Sequence, residues 1–161
     1  MINTIKENFN RALYALIFSI ITIGTLSFLE FETLYGLFLA GSFGSSMVLL
    51  FGYPESPFAQ PKNVFFGHLV TSLVGVLILK FLPVDQFLQI AIAVGLGIFV
   101  MIILGVTHPP AGGNPIVIIV GAYSYDFLLN PIIFGSIIII IYAIILNRFI
   151  LKKNYPSSWK S

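Results

Sequence analysis

Long apolar stretches separated by short polar breaks run the length of this chain. Five of them, at 12–29, 34–51, 64–82, 87–106 and 131–150, reach or approach the ~20 apolar residues that an α-helix needs to span a hydrocarbon core. The last is the most lipid-like, with an unbroken run of isoleucine from Ile137 to Ile141. A sixth stretch, 115–123, is apolar but only about half a span long. It forms either a re-entrant half-helix or part of a short, broken crossing. The pattern predicts an all-α, polytopic transmembrane helix bundle in a single domain over residues 1–161. About six spans are expected, or five plus a re-entrant half-helix, with short flanking segments at 1–11 and 151–161.

The small residues within the spans add a packing pattern. Gly36, Ala40 and Gly44 recur four apart, as do Gly41 and Ser45. The third span carries Gly67, Thr71 and Gly75, and the fourth has Ala91/Gly95, Ala93/Gly97 and Gly105. Small residues at this spacing let helix backbones approach closely in lipid. The first and last spans have fewer such positions and are expected at the periphery.

Two proline-rich breaks interrupt the apolar background: Gly52–Asn63, reading GYPESPFAQPKN, and Thr107–Pro115, reading THPPAGGNP. Each follows a glycine-bearing span, holds an Asn near its end and leads into a new apolar helix. The echo reads as a weak internal repeat, parallel if each unit crosses twice, and chance similarity accounts for it equally well. Asn is a preferred N-cap and Pro a preferred first helical residue, so Asn63 and Asn114 mark expected helix starts. A helix start presents unpaired N–H groups and partial positive charge, which suit a small anion. Irregular backbone at membrane depth is tolerated only where protein buries it or it lines a cavity.

Charge orients the bundle. Lys6 and Arg11 flank the first span, while Arg148, Lys152, Lys153 and Lys160 follow the last. The excess of positive charge on cytoplasmic loops puts both ends in the cytoplasm and requires an even number of crossings. The 53–62 loop then faces the cytoplasm, with Glu30, Glu32 and Asp126 on the other side. Aromatic residues near span ends, Trp159 among them, suit interfacial anchoring.

Composition excludes a soluble domain. Hydrophobic residues make up 58% of the chain and charged residues 9%, with mean hydropathy +1.01, against about a quarter charged in soluble proteins. A net charge of +2 is too small to suggest nucleic acid. The lack of cysteine removes disulfide and thiolate chemistry. Signature motifs of hydrolases, nucleotide-binding loops and zinc proteases are missing, and two histidines forty positions apart make a poor metal site. The chain is read as no enzyme, with no cofactor and no metal.

The candidate substrate-binding residues are His108, Asn114, Gly112, Gly113, Asn63, Gln60, Lys62 and His68. Each has a plainer reading. His108 could be a loop histidine bonded to a backbone carbonyl, or a proton acceptor and substrate ligand. His68 lies early in the third span, where an ionisable side chain usually faces the bundle interior, and an interhelical hydrogen bond would satisfy it. Lys62 and Lys80 are candidates for snorkelling to the interface. Gln60, Asn63, Asn114, Thr71 and Ser72 could line a path or serve as caps and contacts. Gly112 and Gly113 could let a ligand reach the backbone unobstructed.

At its two breaks the sequence resembles the HPP family of integral membrane proteins, named for the His-Pro-Pro found at His108-Pro109-Pro110. One block runs from Gly41 through Asn63 to His68, GSFGSSMVLLFGYPESPFAQPKNVFFGH; the other is THPPAGGNP. The resemblance covers roughly residues 20–150. It implies a small multi-span fold, and plant-plastid and cyanobacterial relatives are linked to nitrite transport. The expected function is passage of a small monovalent anion, nitrite by resemblance, through a channel or secondary carrier. A histidine could accept the proton if transport were coupled to H⁺ or if nitrous acid were the permeant form. The competing reading is a non-transporting membrane scaffold or assembly subunit. A homo-oligomer in the lipid bilayer of a cell inner (plasma) membrane is expected, with no nucleic-acid partner.

Overall fold

The computed structural model describes residues 2–32 and 38–157. Among them the regular structure is helical. Four helices are long and apolar enough to cross a membrane: α1 within Ile2–Phe31, α3 (Pro61–Phe81), α4 (Gln86–Ile103) and α6 (Leu128–Ile150). Two more apolar segments are about half that length. One is α2 (Gly41–Gly52); the other is Pro109–Val120, a 3-10 turn at Pro109–Gly113 running into α5 (Asn114–Val120).

Contacts fix the direction of each pass. Arg11 near the start of α1 lies 3.9 Å from Glu55, in the loop between α2 and α3. The chain beyond α6 returns to that same loop, where Tyr155 Oη donates to Ala59 O (2.8 Å) and Ser157 N to Gln60 Oε1 (2.9 Å). At the opposite end the Glu30 carboxylate accepts the N–H groups of Phe38 and Leu39, and Gln86 Nε2 donates to Ile119 O. The chain therefore runs six times between two ends, and the starts of α1 and the end of α6 share one of them. That end carries Arg11, Lys62, Arg148, Lys152 and Lys153 against Glu55; the other carries Glu30, Glu32, Asp85 and Asp126 against Lys80. They are called the basic and acidic ends below.

The second and fifth passes are the ones with long non-helical stretches, and they mirror each other; α6 has a kink at Asn130, near its start. Each begins as non-helical chain and becomes helix partway along. Residues 38–40 enter from the acidic end as non-helical chain, extended at Ala40, before α2 begins. In the fifth pass the break is set by the end of α4. Gly105 adopts φ +62°, its N–H bonds to Ile102 O, and Val106 N bonds to Met101 O. This is the left-handed glycine cap that closes a helix with two reversed bonds. The following Pro109-Pro110 pair cannot continue an α-helix, so helix resumes only at Asn114. The three passes α1–α2–α3 and the three passes α4–α5–α6 thus share a plan, each broken in its middle member and opposite in direction. The two-crossing units read from the sequence, α2 to α3 and α4 to α5, each run from the acidic end to the basic end and back, and so are parallel within this plan.

Several expectations change in detail. The span expected at 34–51 is helical only from Gly41 to Gly52 among its described residues. Gly36, Trp159 and Lys160 lie outside the described residues. Gly41, Gly44 and Ser45 face outward rather than into the bundle, and a Cβ on either glycine would meet nothing within 4 Å. The buried face of α2 is instead Ser42, Phe43, Ser46, Met47 and Leu50. α1 is peripheral as expected, but α6 is not, for it buries a larger share of its apolar window than α4 does. Gly135 explains this: a Cβ there would collide with the Phe43 ring and Phe38 O, so α6 is held directly against α2. One turn from its end, Asn147 Nδ2 donates to Leu50 O (2.9 Å) across the same contact. Glu30 lies in the last turn of α1 rather than in a loop, and holds the entry to the second pass.

α3 forms the spine against which the fifth pass lies. Gly67, Gly75 and Gly97 make the approach possible: their Cβ positions would fall 2.8 Å from His108 Cβ, 2.9 Å from Pro115 Cα and 3.3 Å from Thr71 Cγ2. Here the small-residue spacing read from the sequence does what it predicts.

Candidate functional site

The buried face of α3 carries, in order from the basic end, Asn63, Gly67, His68, Thr71, Ser72 and Gly75. Such a run of polar side chains in an apolar helix requires partners, because a buried unpaired polar group is costly. The two broken passes supply them. Asn63 Nδ2 donates to Thr107 O (2.9 Å), holding the non-helical stretch before His108. Asn114 Nδ2 lies 2.9 Å from Ser72 Oγ and 3.1 Å from His68 Nδ1. From α2, Ser46 Oγ lies 3.1 Å from His68 Nε2 and 2.9 Å from His108 Nε2. The two imidazole rings meet edge to face with centroids 4.9 Å apart, and the Phe43 ring meets His68 edge-on at 5.1 Å. His108 Nδ1 is 2.7 Å from Phe58 O, a carbonyl that can only accept, so Nδ1 carries a hydrogen.

Ser46, His68, Thr71, Ser72 and His108 are fully inaccessible to solvent, and Asn114 nearly so. The cluster contains no carboxylate, lysine or arginine. Its polar groups are hydroxyls, an amide and imidazoles, each with at least one hydrogen to donate. One turn before Ser46, the Ser42 hydroxyl is buried without a hydrogen-bond partner. Among the described residues no group of three or more His, Cys, Asp or Glu is positioned to hold a metal ion.

Of the eight candidate residues, the structure brings His68, His108 and Asn114 into direct contact and ties Asn63 to them through the Thr107 carbonyl. Neither Asn caps its helix as expected. α3 begins two residues before Asn63, with Pro61 at its first turn and Gln60 as N-cap, and Asn114 turns its amide toward α3. Tertiary partners outcompete the local N–H groups. Gln60 Nε2 donates to Pro54 O and Ser56 O, which closes the loop at the basic end. Lys62 borders a separate groove with Phe65, Phe66 and Ile140. Gly112 and Gly113 sit on the side of the fifth pass shared with exposed Ile116 and Val120, in open space. Ser46 and Ser42 were missed by the sequence reading. Their signal was hydroxyls four apart, Ser42 and Ser46, beside apolar Phe43 and Met47 on one helix face.

A matching family model decides the relationship. The model described as "HPP, transmembrane region" matches residues 4–156, nearly the whole chain. The chain belongs to the HPP transmembrane family. Two curated transmembrane proteins of Dictyostelium discoideum are similar to this HPP chain. One is 34% identical over 128 residues, covering 75% of the chain and 45% of the relative. The other is 35% identical over 130 residues, covering 76% and 42%. The HPP chain thus spans less than half the length of the curated relatives it matches. No solved structure matches it. The His-Pro-Pro motif has a physical role here: the prolines keep helix from forming until Asn114, and the histidine before them reaches Ser46 and Phe58.

Proposed function

We propose that this HPP chain passes a small monovalent anion, nitrite by family resemblance, through a channel or by secondary transport. The observation carrying this reading is a buried polar cluster free of carboxylates, placed where the non-helical stretch of the fifth pass meets α2 and α3. Discontinuous passes that meet near the middle of a bundle are a recurring way to build a substrate site in transporters. Irregular backbone at such depth needs protein or a polar path around it. Ser42, with a buried hydroxyl lacking a partner, is the kind of group a bound anion or water satisfies. His68, His108 and Asn114 would contact the anion, with Ser46 joining the two histidines and Asn63 holding the non-helical stretch in place. A small ligand suits the tight packing of α3 against the fifth pass.

The positive charge of the basic end supports placing it on the cytoplasmic side, in a chain read as residing in the plasma membrane. A scaffold subunit is the second reading, and the outward small-residue face of Gly41, Gly44 and Ser45 favours it. The same face gives a homo-oligomer a place to form. The test is flux into proteoliposomes containing the purified protein, with nitrite compared against nitrate, formate and chloride. Selective flux of one anion supports transport; no flux of any, with or without a pH gradient, supports the scaffold.

A further inference from the structure

The hydrogen bonds around Ser46 have a direction. Phe58 O forces a hydrogen onto His108 Nδ1, so in a neutral ring His108 Nε2 has a free lone pair. Ser46 Oγ, 2.9 Å away, must then donate its single proton to that nitrogen. Its remaining lone pairs accept from His68 Nε2 at 3.1 Å, so the hydrogen of a neutral His68 is on Nε2. His68 Nδ1 is left as an acceptor, and Asn114 Nδ2 donates to it at 3.1 Å. Every link points the same way: Asn114 to His68, His68 to Ser46, Ser46 to His108, His108 to Phe58. The chain runs along α3 from the level of Ser72 toward the basic end, over about five residues of rise or ~7–8 Å.

Ser46 also lies 3.1 Å from Ser42 O, one turn earlier in its own helix. That carbonyl offers a second resting place for the hydroxyl hydrogen. When both His68 Nε2 and His108 Nε2 carry hydrogens, the hydroxyl swings to Ser42 O and accepts from both rings. No group loses its partner in either state.

We propose that His68, Ser46 and His108 form a proton relay between the second, third and fifth passes, so that anion movement is coupled to H⁺. The step balances as follows. His68 begins with protons on both ring nitrogens, its Nδ1–H accepted by Asn114 Oδ1 after a half-turn of the amide. Its Nε2 proton passes to Ser46 Oγ as the Ser46 proton passes to His108 Nε2. His68 ends neutral, His108 ends as the imidazolium, and Ser46 has as many protons as before. The ends are closed in this state, since a peptide carbonyl and an amide N–H exchange no proton in the relay. Entry at His68 Nδ1 requires an acid, hydronium or the protonated anion, to take the place of the Asn114 amide, and release at His108 Nδ1 requires a base, water or the anion itself, to take the place of Phe58 O. The coupling rests on the transport reading; the relay geometry does not.

Two measurements test the relay separately from transport. Nitrogen-15 NMR of the histidine-labelled protein reads the tautomers directly. The neutral forms are expected to be Nδ1–H for His108 and Nε2–H for His68, and a neutral His108 carrying its proton on Nε2 overturns the relay. In proteoliposomes, labelled nitrite and internal pH are followed in the same vesicles. Ser46→Ala is expected to lose proton movement by about tenfold or more while nitrite still moves down its gradient, and Ser46→Thr, which keeps the hydroxyl, restores it. Proton movement unchanged in Ser46→Ala overturns the relay. Wild-type protein that moves no anion sinks the transport reading, and the tautomer spectrum still decides the relay.

Discussion

A Cβ on Gly67 would lie 2.8 Å from the Cβ of His108, closer than two such atoms can pack. α3 and the fifth pass therefore meet backbone to side chain at the level of the two histidines. The Gly67→Ala substitution should force the His-Pro-Pro segment away from α3, at a cost of about 1–3 kcal/mol. Gly95→Ala, on the open side of α4 with nothing within 4 Å, should leave stability nearly unchanged. Thermal unfolding of both variants in detergent measures the difference.

The Glu30 carboxylate accepts two backbone N–H groups, from Phe38 and Leu39, where the second pass enters the bundle. Hydrogen bonds to a charged acceptor contribute about 1.5–3 kcal/mol each in stability when buried, and less where water competes. Glu30→Ala is expected to lower the unfolding temperature, and Glu30→Gln, which keeps one acceptor oxygen, to lower it less. Equal stability of all three proteins would show that the segment is held by packing alone.

Burial raises the Tyr155 phenol above its ordinary range, and its Oη donates to Ala59 O. The folded chain resists ionising a group that the unfolded chain ionises near pH 10. Its contribution to stability should be intact below about pH 10 and fall as pH rises beyond it. Tyr155→Phe should cost about 0.5–1.5 kcal/mol at neutral pH and flatten the alkaline fall. Unfolding followed at neutral and alkaline pH separates the two effects.

Six passes put residues 53–57 and 153–157 at one end and residues 121–126 at the other. The natural sequence has no cysteine, so single-cysteine variants report sidedness without a background. Ser56→Cys and Asn154→Cys should react with an impermeant thiol reagent from the same side, and Asp126→Cys from the opposite one. Labelling of Ser56→Cys and Asp126→Cys from one side would contradict the topology.

Much of this fold was legible in the apolar pattern. The ends of α3, α4 and α6 fall within a few residues of the stretches that predict them, because hydropathy over twenty residues reports lipid exposure directly. The broken character of the fifth pass was visible in Pro109, Pro110 and the short run after them. That of the second pass was not, since 34–51 holds no proline and no charge, and extended backbone at Ala40 leaves no mark in hydropathy. Glycine spacing located the contacts of Gly67, Gly75 and Gly97 but misassigned Gly41 and Gly44, because spacing identifies a small face without saying what covers it. His68, His108 and Asn114 stood out as polar groups among apolar ones. Ser46, which joins the two histidines, did not, because a serine in such a helix reads as packing until its neighbours in space are known.

The central claim is that an anion passes by the polar cluster at the broken passes. The most direct measurement is nitrite uptake into proteoliposomes by wild-type protein, His108→Ala and Asn114→Ala, each shown to be folded by its unfolding transition. The account predicts saturable uptake by the wild type and a loss of about tenfold or more in both variants, as a buried donor is removed from the site. Wild-type uptake no faster than empty vesicles, or folded variants that match the wild type, would contradict it.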